Sequence, residues 1–189
     1  MNQPIESNYL ECTRSLFQYY KNLGERAMEQ VDASQVNKRF SDQGNSIAVI
    51  VGHLSGNMLS RFTDFLTADG EKEWRQRDAE FETSFEDKTS MLAAWTKGWD
   101  CVFQALDSIG DADLQRIVYI RNEGHTVLEA LQRQLAHYAY HIGQLVFVAR
   151  ELAGADWTSL TIPKNQSDSF NQEKFAKEKS QTFFTDGNK

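Results

Sequence analysis

The chain has 189 residues, 40% of them hydrophobic, with two cysteines and a formal charge of −7. That is enough apolar material for one packed domain and short for two. The acidic balance, with a pI near 5.1, lacks the basic face that nucleic acid or an anionic lipid surface requires. Cys12 and Cys101 make no disulfide framework. Residues 1–7 have neither a basic n-region nor an apolar h-region, and the longest weakly polar runs are too short to span a bilayer. A cytoplasmic protein without nucleic-acid or membrane partners is the expectation.

The only prolines, Pro4 and Pro163, stand near the ends, so helices between them meet no strong breaker. Four stretches carry apolar residues at a 3.6-residue period. The first covers about residues 5–31, with Leu16, Phe17, Tyr20, Leu23, Ala27 and Val31 on its stripe. The second begins after Gly44-Asn45, capped by Asn45 or Ser46. It reads Ile47, Ile50, Val51, Leu54, Met58, Phe62, Phe65, Leu66 before Asp69-Gly70 stops it.

The third runs over about residues 88–109 through Met91, Trp95, Trp99, Val102 and Leu106 to Gly110. The fourth opens on Thr126-Val127-Leu128-Glu129, a capping box. It follows Val127, Leu131, Leu135, Tyr138, Ile142, Leu145 and Ala149 to Arg150 and the stop at Gly154. Four amphipathic helices can bury their stripes only against one another, so an all-α four-helix bundle is expected.

Two connections are long. Residues 69–87 carry Trp74, Phe81 and Phe85 in polar surroundings, which predicts a crossover strapped to the helices; residues 118–121 form a short extended run. After Gly154 the chain turns polar, and Trp157, Leu160, Ile162, Phe170, Phe175, Phe183 and Phe184 are the residues able to pin it to the bundle or to a second subunit. The division expected is a bundle over residues 1–165 and a polar tail over residues 166–189. Aromatic residues left over after the four stripes are paired point to a homodimer.

His137 and His141 lie four residues apart on the fourth helix, so both imidazoles share one face and can meet one metal ion. His53 lies at the edge of the second helix's stripe. Three neutral nitrogens from two helices would leave coordination positions open, the pattern of a catalytic site. On spacing alone a metal site and structural or surface histidines both stand. Asn57, Gln144 and Tyr140 are candidates to take the outer N–H of a ligating imidazole, against solvated amides and a packed ring. Cys101 reads as a thiol at the pocket or a small buried residue, Arg121 as an anion holder or surface charge, and His125 as a neighbour of the fourth helix's cap. Gly52, Gly56 and Gly143 each weaken a helix interior by up to about 1 kcal/mol, which close approach beside the site would offset. There is no His-Glu-x-x-His, no Gly-x-Ser-x-Gly, no P-loop and no Gly-x-Gly-x-x-Gly, and the Glu-x-x-His motifs of di-iron bundles are missing.

The run Asn45-Ser46-Ile47-Ala48-Val49-Ile50-Val51-Gly52-His53-Leu54-Ser55-Gly56-Asn57-Met58 resembles the second helix of the DinB/YfiT-like superfamily of bacterial four-helix-bundle proteins. Leu135-Ala136-His137-Tyr138-Ala139-Tyr140-His141-Ile142-Gly143-Gln144 resembles its fourth. Thr67-Ala68-Asp69-Gly70-Glu71-Lys72 and Trp74-Arg75-x-Arg77-Asp78-x-Glu80-Phe81 look like a branch of unknown function. The resemblance covers about residues 5–165. It implies an up-up-down-down bundle and one divalent metal ion, often nickel or zinc, on His53, His137 and His141. Relatives include metal-dependent thiol S-transferases and a mycothiol-dependent isomerase. By resemblance, the ion would hold a low-molecular-weight thiol as thiolate for attack on an electrophilic substrate. The competing expectations are a non-enzymatic metal-binding stress protein and a metal-dependent hydrolase.

Overall fold

The computed structural model describes residues 4–180 and residue 185; the tail residues Phe183 and Phe184 lie outside the described residues. The chain is mostly helical. Its helices are α1 (Ile5–Glu29), α2 (Ile47–Phe62), the single turn α3 (Arg77–Glu80), α4 (Lys88–Asp107), α5 (Val127–Ala153) and α6 (Ser167–Phe175). One antiparallel hairpin joins β1 (Ile117–Ile120) to β2 (Glu123–Thr126). Among the described residues no helix is long and apolar enough to cross a membrane.

Helix starts fall where short polar side chains can serve orphan N–H groups. Ser46 Oγ accepts from Val49 N at 3.2 Å, and Thr126 and Glu129 cap α5 reciprocally at 3.2 and 2.8 Å. α5 ends at Gly154, whose φ of 57° suits glycine. α2 ends earlier than its apolar pattern predicts. Thr63 turns extended and Asp64 takes a φ of 51°, which a short polar side chain tolerates.

α2 packs along α4 and α1 along α5, with further contacts from α2 to α5 and from α1 to α4. Side-chain partners fix the directions. Tyr9 meets Leu128, and a Cβ on Gly24 would meet Ile142, so α1 and α5 run the same way. Ser55 bonds the carbonyl of Ala94 and Thr63 contacts Cys101, so α2 and α4 also run together. The two pairs oppose each other, as His53 beside His141, Tyr138 on Asn57, and Arg14 on Asp107 show. In chain order the long helices therefore run up, down, down, up. This corrects the up-up-down-down order that the resemblance implied; a stripe fixes which face a helix buries and not which way it runs.

Phe17, Phe62, Trp95, Trp99 and Tyr138 fill the interior, none more than 2% exposed. Phe17–Tyr138 and Trp99–Tyr138 centroids are 5.8 and 5.7 Å apart, in the range of tilted and edge-on aromatic contacts. In the 63–87 crossover, Phe81 and Phe85 are half-buried as expected, but Trp74 is exposed and Arg75 takes the inward position. Of the apolar tail residues, Trp157 and Leu160 pack on the core, whereas Ile162, Phe170 and Phe175 are exposed. At the hairpin turn, Arg121 and Asn122 have φ of 56° and 61°. Their N–H groups donate to the Asp69 carboxylate at 2.9 and 2.8 Å, which ties the turn to the crossover.

Candidate metal centre

Because α2 and α5 run in opposite directions, His53 comes level with His137 and His141. His53 Nε2 lies 3.3 Å from His137 Nε2, and one ring nitrogen of each of the three histidines lies within 4.8 Å of the others. An ion bound tetrahedrally by imidazole at about 2.0–2.1 Å sets adjacent nitrogens about 3.3–3.4 Å apart, the spacing of the first pair. A set of three imidazoles suits zinc, copper, iron or nickel. The cluster can hold a metal ion.

His53 is buried and the other two are half-buried. Burial, then the neighbouring His141 and His53, and then Arg61 and Arg75, push His137 down to about 3. Burial and His53 also lower His141, against the pull of its bond to Gln144. Rings that resist protonation keep their lone pairs available for an ion.

Two of the three outer nitrogens are held. His53 Nδ1 meets Glu80 Oε2 at 2.8 Å, and His141 Nδ1 donates to Gln144 Oε1 at 3.0 Å. Burial works against a charged Glu80, but the bonds from His53 and Arg75 outweigh it and hold its carboxyl below the usual range. A carboxylate can only accept, so Nδ1 is the nitrogen of His53 that donates to Glu80, which turns Nε2 toward the other two rings. Arg75, with its side chain 2% exposed, grips Glu80 by Nε–Oε1 and Nη2–Oε2 bonds of 2.8 and 2.9 Å. Phe81 stacks on the His53 ring at 4.9 Å.

Two glycines admit this crossover to α2. A Cβ on Gly56 would collide with Glu80 Oε1 and lie 2.9 Å from its Cδ, and one on Gly52 would lie 2.7 Å from Thr83 Cγ2. In its observed conformation the Glu80 carboxylate occupies the space that a side chain at position 56 would fill. The close approach expected at helical glycines is made by the crossover, and at Gly143 nothing lies within 4 Å.

The three histidines open on a cleft of about 430 Å³, also lined by Asn57, Gln134, Tyr140 and five arginines. Residues 4–166 match the family DUF1572, described as a protein of unknown function. The chain belongs to that family. No curated protein and no solved structure matches it.

In this DUF1572 chain the other sequence candidates divide. Gln144 takes the outer N–H of His141. Asn57 is buried but bonds no histidine; its Oδ1 accepts from the Tyr138 hydroxyl at 3.2 Å. Tyr140 sets its ring 4.9 Å from that of His141 and is mostly exposed. Arg121 lines the cleft and pairs with Glu71 at 3.1 Å. Cys101 sits beside Thr63 on a different groove, and His125 pairs with Arg133 on β2, outside the three-histidine group. Sequence reasoning missed Glu80, Arg75 and Phe81 as partners of His53. Their signal was the Trp74-Arg75-x-Arg77-Asp78-x-Glu80-Phe81 stretch, in which a basic, an acidic and an aromatic residue recur in a connection.

Proposed function

We propose that this chain is a metal-dependent enzyme of the DinB/YfiT-like kind, a four-helix bundle over residues 1–165 with a polar tail over residues 166–189. His53, His137 and His141 hold one divalent ion, nickel or zinc. The observation that carries this reading is that three imidazoles, two of them backed, converge on an open cleft instead of a sealed core. Bound there, such an ion supplies Lewis acidity that lowers the pKa of a coordinated thiol or water.

The rest is the work of the chain's own residues. Glu80 and Gln144 fix the tautomer and aim of two rings, Arg75 holds Glu80 charged, and Phe81 covers one face of His53. Among the described residues no Asp, Glu, Ser, Thr or Cys lines the cleft, so the nucleophile arrives from outside. S-transfer from a low-molecular-weight thiol to an electrophile is the reaction these features support best. A homodimer is the assembly we assign, with Tyr140 and Phe147 exposed along one face of α5.

The test is metal content of untagged protein beside His141→Ala, followed by thiol titration of a cobalt-substituted sample. About one ion per chain, lost in the variant, with a sulfur-to-cobalt charge-transfer band on titration, is expected. Metal blind to thiols would replace S-transfer with hydrolysis or a structural role. No metal after reconstitution would sink the site.

A further inference from the structure

Five arginines line the cleft, Arg61, Arg75, Arg77, Arg121 and Arg133, in a chain whose formal charge is −7. Their counter-charges do not match them. One oxygen, Glu71 Oε2, is shared by Arg61, Arg75 and Arg121 at 3.0, 3.4 and 3.1 Å. Glu80 answers Arg75 alone. Arg77 reaches only the fully exposed Asp78, at 3.7 Å. Arg133 has no carboxylate partner among the described residues, and its Nη1 donates to His125 Nε2 at 3.1 Å. Neither Glu71, Glu80 nor Asp78 lines the cleft. A concave site lined by one sign of charge concentrates the opposite sign.

A second observation points the same way. Gln134, three residues before His137 on α5, is 3% exposed and lines the same cleft, and its Oε1 has no hydrogen-bond partner. A buried acceptor left unpaired is destabilising unless something else completes it.

We propose that the cleft binds a small anion, a carboxylate or a phosphate, on the guanidinium forks of Arg77, Arg121 and Arg133, and that a hydroxyl or N–H beside the anionic group donates to Gln134 Oε1. Planar guanidinium forks match both oxyanions bidentately. Arg77, Arg121 and Arg133 line the same cleft as His53, His137 and His141, so one small molecule can meet the arginines and the histidines together. The volume is that of a small-molecule site. The substrate of the metal centre is thus an anion whose charged end faces the arginines. This rests on the metal-enzyme reading only for the end that faces the histidines.

The experiment titrates inorganic phosphate, succinate and malate into the full chain by calorimetry, zinc-loaded and after chelation. At least one binds saturably, and Arg133→Gln, exposed on α5 and checked for native circular dichroism, weakens it by about tenfold or more. Phosphate binding tighter names a phosphate ligand, and the acids binding tighter names a carboxylate. Malate over succinate, with the preference lost in Gln134→Leu, supports the donor to Oε1. Chelation changes anion affinity by less than about threefold, because arginines and not the ion hold the anion. No saturable binding, an Arg133→Gln titration equal to wild type, or anion binding that vanishes with the zinc overturns the inference and leaves the metal centre standing. Anion binding in a protein that never takes metal overturns the metal centre and leaves this site.

Discussion

On one side of Tyr138 the ring packs against Phe17, Phe62 and Trp99, with centroids 5.8, 6.5 and 5.7 Å away. On the other side its hydroxyl donates to Asn57 at the edge of a cleft lined with arginine and histidine. The same two helices, α2 and α5, thus face two interiors. The aromatic one is held by contact area, which has no preferred partner. The polar one is a chain of directed bonds, from His53 through Glu80, Arg75 and Glu71 to Arg61 and Arg121. Buried ion pairs add little net stability, and apolar groups of the same volume often do better. The polar side is therefore poorly explained by stability alone, whereas the aromatic side is explained by it.

The comparison breaks most visibly at Trp99. Trp99→Ala removes a fully buried ring from the aromatic side and is expected to lower unfolding free energy by about 3–5 kcal/mol in urea. The protein that stays folded should bind metal with wild-type affinity. A tenfold metal defect there would mean that the two interiors are one.

Acid separates them next. In metal-free protein an unfolded histidine titrates near 6.5, whereas folded His137 stays neutral down to about 3. Between those values the unfolded chain binds more protons, so stability falls as pH drops through that window. Glu80 acts in the same direction, since a carboxylate held below its usual pKa stops stabilising as it is protonated. Because His137 is half-exposed, the loss from pH about 7 to about 4.5 is discounted to about 1–2 kcal/mol. His137→Gln should flatten the urea-midpoint curve, and an unchanged curve would remove His137 as its cause.

How much of this the sequence could carry depends on periodicity. His137 and His141 sit on a long helix whose 3.6-residue repeat puts them on one face, so that pair was legible, whereas His53 as their partner came from the resemblance. The caps at Ser46, Thr126 and Gly154 were legible for the same local reason. The end of α2 was not, because Phe65 continues the apolar pattern beyond the helix and still stacks on Phe62, at 5.3 Å, from the turn that follows. Glu80 belongs to a one-turn helix inside a crossover, where no repeat projects a side chain. Its contact with His53 was encoded at Gly56, as an absence. Amphipathic stripes carry no arrow, so the helix directions were not legible in them, and the order implied by the resemblance is not the one observed.

Within the polar side, His53 is backed by a charged, buried carboxylate and His141 by a neutral amide. Glu80→Gln keeps a carbonyl for Nδ1 but deprives Arg75 of the closer of its two charge partners, and should weaken metal binding by about 10–100-fold in a chelator competition. Gln144→Ala should weaken it by less than about tenfold, because the ring loses one neutral bond. Equal losses would mean that charge on the outer partner does not matter here.

The smallest contrast uses two glycines. Gly143→Ala meets nothing within 4 Å and should stabilise α5 by about 0.5–1 kcal/mol, with metal affinity unchanged. Gly56→Ala gains the same helix propensity, but its methyl group meets the Glu80 carboxylate, so the Glu80 side chain must shift and its bond to His53 is expected to weaken. Its metal affinity should fall toward that of Glu80→Gln. If Gly56→Ala binds metal as wild type does, Glu80 has room to move without losing His53. The bare backbone at position 56 would then serve packing alone.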